Sequence, residues 1–190
     1  MSYAIEPHRS WAPLTEAARV AATAREQALL TLVRDHMAAE VQGDLQPLMQ
    51  TLVADPVYNI WNQAGPVRLQ GRATIEGLYR DMFEVGAEQF EFVIEKIITG
   101  SNDVVTEGHL KQIHTAGGLR DAGIEHVGES AVDESALWLS DAQIVVIWPA
   151  TDDGHLIGED TYYGEDPFAT LVPVSEDDLP SYFRIPNEPG

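Results

Sequence analysis

His36 and Glu40 stand four residues apart in a segment whose apolar residues, Leu29, Leu30, Val33, Met37 and Val41, recur at helical spacing. On a helix both side chains then share a face, with Glu40 inside the apolar stripe and His36 at its edge. A carboxylate in such a stripe costs free energy unless it is paired or borders a wet pocket. The pair is therefore a candidate proton-transfer dyad, in which the carboxylate fixes the imidazole tautomer and the imidazole moves the proton. The plain alternative is that Glu40 turns to the rim and His36 is solvated.

Other residues could serve the same chemistry. Tyr58, in the run Val57-Tyr58-Asn59-Ile60-Trp61, offers a phenol able to donate to a developing enolate or alkoxide oxygen. Glu107 and His109 alternate on one strand and share a face, a second acid–base pair if that face is the concave one. A shift of one residue would instead turn Thr106, Gly108 and Leu110 inward. Glu159 and Tyr163 share a face opposite Asp160 and Tyr162, and Glu159 is the expected inward acid. His109 and His114 point to opposite faces of a strand, and no H-x-H or H-x-x-x-H spacing occurs, so no metal is expected. The chain has no cysteine, no glycine-rich nucleotide loop and no G-x-S-x-G, so no cofactor is expected either.

These groups need elements to hold them. Residues 14–41 read as helix, in one piece or two, with Gly43 as C-cap and a short helix after Asp44. Val57–Trp61 reads as a strand and residues 62–66 as a turn. Arg72–Val85 is a second amphipathic helix, with Ile75, Leu78, Tyr79, Met82 and Phe83 on one face. Strands follow at residues 90–98, 103–115, 136–150 and 156–163, the last two joined by a turn at Thr151-Asp152-Asp153-Gly154. The glycine-rich stretch 116–134 is either a lid or a solvated surface loop. Residues 1–25 supply an arm and the start of helix one, 26–172 the folded domain, and 173–190 an acidic, proline-containing tail.

Composition bounds the partners. Thirty-one acidic against eleven basic residues give a net charge of −20, a surface that repels nucleic acid and anionic lipid. No apolar run reaches the roughly 20 residues of a membrane span. With no basic, apolar leader at the start, a cytoplasmic location is the expectation.

The order of these pieces resembles the nuclear transport factor 2-like superfamily, closest to its SnoaL-like branch. The likeness rests on Gly43-Asp44 closing helix one, Leu52 with Asp55-Pro56-Val57-Tyr58, Leu69-Gln70-Gly71-Arg72-Ala73-Thr74-Ile75 opening helix two, and the ending Asp153 to Tyr163. The resemblance implies an α+β fold: a cone-shaped, curved, mostly antiparallel sheet wrapped around N-terminal helices, with a pocket at the open end. It also implies homodimers, formed through the outer sheet face. Two family chemistries do not carry over. Limonene-epoxide hydrolases use an Arg-x-Asp on the middle strand, where this chain reads Thr106-Glu107-Gly108-His109-Leu110-Lys111. Ketosteroid isomerases use a helix-one Tyr and a strand Asp, where this chain aligns His36 and Trp61.

The resulting expectation is a cofactor-independent lyase, isomerase or cyclase acting on a largely apolar aromatic or polycyclic molecule. His36, Glu40, Tyr58, Glu107, His109 and Glu159 are its candidate catalytic residues. Met37, Trp61, Tyr79, Phe83, Trp148 and Tyr163 are the candidate pocket wall. A non-catalytic binding or assembly module of the same fold is the rival, and convergence of His36, Tyr58 and one strand acid or base on a single cavity would favour the enzyme.

Overall fold

The computed structural model describes residues 3–133 and 135–186. Three helices come first: α1 (Ala12–Val20), α2 (Ala24–Gln42) and α3 (Leu45–Gln50). The helix-one segment is thus two pieces. Thr23 starts α2 by accepting from the Glu26 N–H, and Gly43 ends it in the left-handed region (φ 71°). Then come β1 (Leu52–Asn62), β2 (Gly65–Gln70), α4 (Arg72–Val85), β3 (Glu91–Thr99) and β4 (Asp103–His114). The stretch expected as lid or loop holds α5 (Ala116–Asp121) and a two-stranded hairpin of β5 (His126–Val127) and β6 (Ser130–Ala131). The chain continues through β7 (Leu137–Pro149), β8 (Leu156–Tyr163) and β9 (Leu171–Val174).

The main sheet is curved and unclosed, with strand order β2-β1-β8-β7-β4-β3 and β9 paired to the start of β7. All its pairings are antiparallel except β1 with β8. One face carries Tyr58, Phe92, Val104, Ile144, Val146 and Trp148, and packs on Leu29, Leu30, Val33 and Met37 of α2 and on Ile75 and Tyr79 of α4. Each such aliphatic or aromatic side chain contributes roughly 1.5–3 kcal/mol on burial, which is what holds two helices across the sheet.

Two strand details set the site. The β1–β8 register shifts between Leu52 and Val57. There Gly158 has φ +153° and a Cβ would fall 1.7 Å from the Val57 carbonyl oxygen, so only glycine lets β8 close on β1 and bring Glu159 opposite Tyr58. In the first half of β4 the buried positions are Val104, Thr106 and Gly108, matched across β7 by Trp148, Val146 and Ile144, while Ile113 near its end is buried on the opposite face. The even-numbered face points inward.

Described residues near both ends of the chain pack against the sheet. Ile5, Ile113 and Leu179 form a second small core with Leu137, Leu139, Val174 and Phe183. The Ala4 N–H donates to the Asp178 carbonyl, and Arg184 pairs with buried Glu88 at 2.6 Å while its backbone N–H and carbonyl bond the side-chain amide of Gln89. Residues 187–190 of the expected tail lie outside the described residues. Among the described residues no helix is long and apolar enough to cross a membrane.

Candidate functional site

His36 is fully buried on α2. Its Nδ1 lies 2.6 Å from Thr51 Oγ1, and that hydroxyl donates to the Leu48 carbonyl, also at 2.6 Å. Thr51 is therefore an acceptor toward the ring, Nδ1 carries the hydrogen, and Nε2 is turned toward the polar groups that line the cavity, with His36 itself behind them. Around Nε2 stand Glu159 Oε1 at 3.1 Å, the Tyr79 hydroxyl at 3.2 Å and the Tyr58 hydroxyl at 3.5 Å. Tyr58 and Tyr79 share a hydrogen bond of 2.8 Å, and Tyr79 donates to Glu159 at 3.2 Å. One proton lying between Nε2 and Glu159 Oε1 satisfies both atoms. The Trp148 indole meets the His36 ring edge to face at 5.8 Å, held by its own N–H on Thr106.

Glu40, one turn along α2, faces the same space and has no hydrogen-bond partner among the described residues. Burial holds its carboxyl well above the usual range, and the neighbouring Glu159 adds to that. Burial and then Glu159 likewise raise the phenols of Tyr58 and Tyr79, which therefore stay protonated donors. Tyr163 is raised in the same way, by burial and then by Glu40. These groups border one cavity of about 210 Å³, whose remaining wall is mostly Met37, Phe90, Phe92, Leu110, Ile144 and Trp148, with Gln112 and Thr161 at its edge. No lysine or arginine lines it. His36, Glu40 and Glu159 each present one ligand atom, all within 4.8 Å of one another. One imidazole and two carboxylates are a donor set that could hold a divalent cation as well as a shared proton.

Several expected roles are redistributed. The partner fixing the His36 tautomer is Thr51, and the carboxylate bonded to the ring is Glu159 rather than Glu40. Glu107 and His109 point away from the cavity, because the even-numbered residues of β4 take the inner face. Glu107 pairs there with Lys96, and His109 Nδ1 meets Asp141 at 3.0 Å. Trp61 is also outside: three residues beyond inward Tyr58, strand alternation turns it out to stack on Tyr162 at 4.3 Å. Phe83 packs against the Tyr79 ring at 5.9 Å, and Leu78 and Met82 take that part of the wall instead. Met37, Tyr79, Trp148 and Tyr163 do line the cavity. Sequence reasoning missed Thr51, which carries no signal of its own. It treated Tyr79 as wall only, and it missed Gln112, which becomes visible once the β4 register is known.

Comparison with known proteins agrees with this architecture. The SnoaL-like domain profile matches residues 33–128, about half of the chain, and the chain belongs to that family. Similar solved structures include an NTF2-like protein from Anabaena variabilis (TM-score 0.53, 11% identity, covering 77% of this chain and 97% of that one). A provisionally named SnoaL-like polyketide cyclase from Shewanella denitrificans gives a TM-score of 0.55 at 17% identity, covering 70% and 88%. An LEH-like epoxide hydrolase from M. tuberculosis gives 0.50 at 18%, covering 72% and 81%. At these identities the likeness is one of fold. No curated protein matches the chain in sequence.

Proposed function

We propose that this chain is a cofactor-independent acid–base enzyme that moves a proton next to a carbonyl of a small, largely apolar aromatic molecule, as a lyase, isomerase or cyclase does. The observation that carries the reading is the convergence of Glu40, Tyr58, Tyr79 and Glu159 on one cavity that no lysine or arginine lines, with His36 bonded to Glu159 behind that wall. A purely apolar lining would have favoured a binding module.

The roles follow from the environments. A substrate carbonyl oxygen directed at Tyr58 and Tyr79 meets phenols that remain protonated, so charge developing on that oxygen is stabilised. Glu40, desolvated and without a hydrogen-bond partner, is the group to take or return the carbon-bound proton; its raised pKa brings proton affinity closer to the working pH. His36, bonded to Glu159 from behind the cavity wall, can relay a proton through that carboxyl to the oxygen or to a departing hydroxyl. Volume narrows the substrate. A dry cavity of about 150 Å³ takes benzene, so about 210 Å³ suits one substituted ring or a compact bicycle, and four fused rings exceed it.

The test is proton exchange. Small aryl ketones that bind by thermal shift are incubated with the protein in D2O, and loss of the α-proton signal is followed by NMR. Wild type is expected to exchange them, EDTA to leave the rate unchanged, and Glu40→Gln and His36→Gln to slow it by about 10²–10⁴. Bound ketones that never exchange, or variants as fast as wild type, would overturn the reading.

A further inference from the structure

Leu110, Gln112 and His114 are successive inward positions of β4. Leu110 borders the cavity lined by Glu40, Tyr58, Tyr79 and Glu159, and His114 borders a second cavity of about 190 Å³. Gln112 borders both. The second cavity lies between the end of α4 (Val85, Ala87), α5 (Gly118, Asp121) and Phe183 of the C-terminal segment. His114 lies four positions beyond Leu110, about 13 Å along β4, the length of two aromatic rings joined by a short linker.

The chemistry at the junction is specific. Gln112 is only partly buried and makes no side-chain hydrogen bond to any described residue, so both its amide N–H and its carbonyl are free for a ligand. Among the described residues the outer chamber is lined by no lysine or arginine, and Asp121 is its only carboxylate residue. Burial pushes the His114 imidazole down to about 4, which leaves it neutral, and its Nε2 is taken by Ser140 at 2.8 Å. Among the described residues neither chamber is lined by a lysine or arginine that could pair with a permanently anionic ligand.

We infer that the two cavities are halves of one binding site with Gln112 as its neck, and that the ligand is a neutral two-ring molecule whose linker oxygen bonds to Gln112. This rests on the proposed function for which end reacts: the ring bearing the carbonyl lies in the inner chamber and the second ring in the outer one. It explains how a family pocket too small for a polycyclic molecule still serves an extended one.

Binding alone tests it, so its failure and that of the proposed chemistry are distinguishable. The probes are phenol and 4-(benzyloxy)phenol, titrated by calorimetry against wild type, Gly118→Leu, Ala87→Leu and Gln112→Leu. At Gly118 a Cβ meets nothing closer than Thr115 Oγ1 at 3.5 Å, an ordinary contact, so leucine there fills the chamber without forcing the helix. Wild type is expected to bind the two-ring probe at least about tenfold more tightly than phenol. Gly118→Leu and Ala87→Leu should erase that advantage and leave phenol affinity within about twofold; Gln112→Leu should weaken the two-ring probe alone. Circular dichroism identifies any variant that fails to fold, and the second plugging variant then decides. Equal affinity of wild type for both probes, no measurable binding of the two-ring probe, or an advantage that survives a folded plugged variant would each overturn the inference. His36→Gln should leave all these ratios intact whether or not it abolishes proton exchange.

Discussion

The hydroxyls of Tyr58, on β1, and Tyr79, on α4, lie 2.8 Å apart, and Tyr79 passes the chain on to Glu159 at 3.2 Å. With Tyr79 donating to the carboxylate, Tyr58 donates to Tyr79, so an arriving carbonyl oxygen must draw one of these hydrogens to itself.

The two phenols should therefore separate by mutation. Tyr79→Phe strips partners from Tyr58, His36 and Glu159 together and is expected to lower stability by about 1–3 kcal/mol. Tyr58→Phe is expected to cost less stability and to lower kcat by about 10²–10³ with KM little changed. Denaturant melts and steady-state kinetics read the two effects. Equal destabilisation with full activity in both variants would make the pair purely structural.

Glu40 gives a pH signature. The unfolded chain releases this proton near the ordinary carboxyl value, whereas the folded chain keeps it to higher pH. Between those two values the native state binds more protons, so stability from this group is present at low pH and falls as pH rises. Glu40→Gln cannot ionise and should gain melting temperature relative to wild type as pH is raised from about 5 to about 8. A constant difference across that range would mean that Glu40 releases its proton at the same pH in both states.

His114 acts with the opposite sign. Its folded value is about 4 against 6.5 when unfolded, so the unfolded chain binds the extra proton. The stability is fully present above 6.5 and is lost as pH falls toward 4, by at most about 3 kcal/mol. His114→Gln should flatten that limb of the melting curve. A limb as steep in the variant as in wild type would assign the loss to other groups.

How much of this is legible in the sequence depends on parity and pairing. Glu40 betrays itself because an acid interrupts the stripe of Val33, Met37 and Val41. Glu159 and Tyr163 emerge because their face of β8 is distinct from that of Asp160 and Tyr162. On β4 both parities carry polar residues, so alternation alone cannot decide whether Glu107 and His109 or Gln112 face inward. Only pairing with β7, whose buried positions run from Trp138 to Trp148, decides it. β9 is hidden for another reason: it is four residues long with Pro173 inside it, a pattern that reads as loop or edge. Thr51 acts through a contact 15 residues away in sequence, where no periodic pattern reaches.

The outward face of the sheet supports a last expectation. Ile98, Val105 and Ile147 align across β3, β4 and β7, and Val145, Tyr162 and Trp61 align across β7, β8 and β1. Ile98 is 56% exposed, and Trp61 and Tyr162 are 37% and 39% exposed. We propose that these two apolar rows meet those of a second copy in a homodimer. Sedimentation of wild type at tens of micromolar should give a dimer, and Trp61→Glu a folded monomer. A monomeric wild type would reject this.

The parallel pairing of β1 with β8 also fixes when the site can come into being. Asn59 and Asp160, bonded across that pair, are 101 residues apart in the chain. Closing so long a loop is slow compared with forming helices or adjacent hairpins. During synthesis Tyr58 and Tyr79 emerge early, but Glu159, the carboxylate that Tyr79 bonds in the folded chain, is absent until β8 has left the ribosome. The proton-handling cluster is accordingly among the last parts of the molecule to assemble.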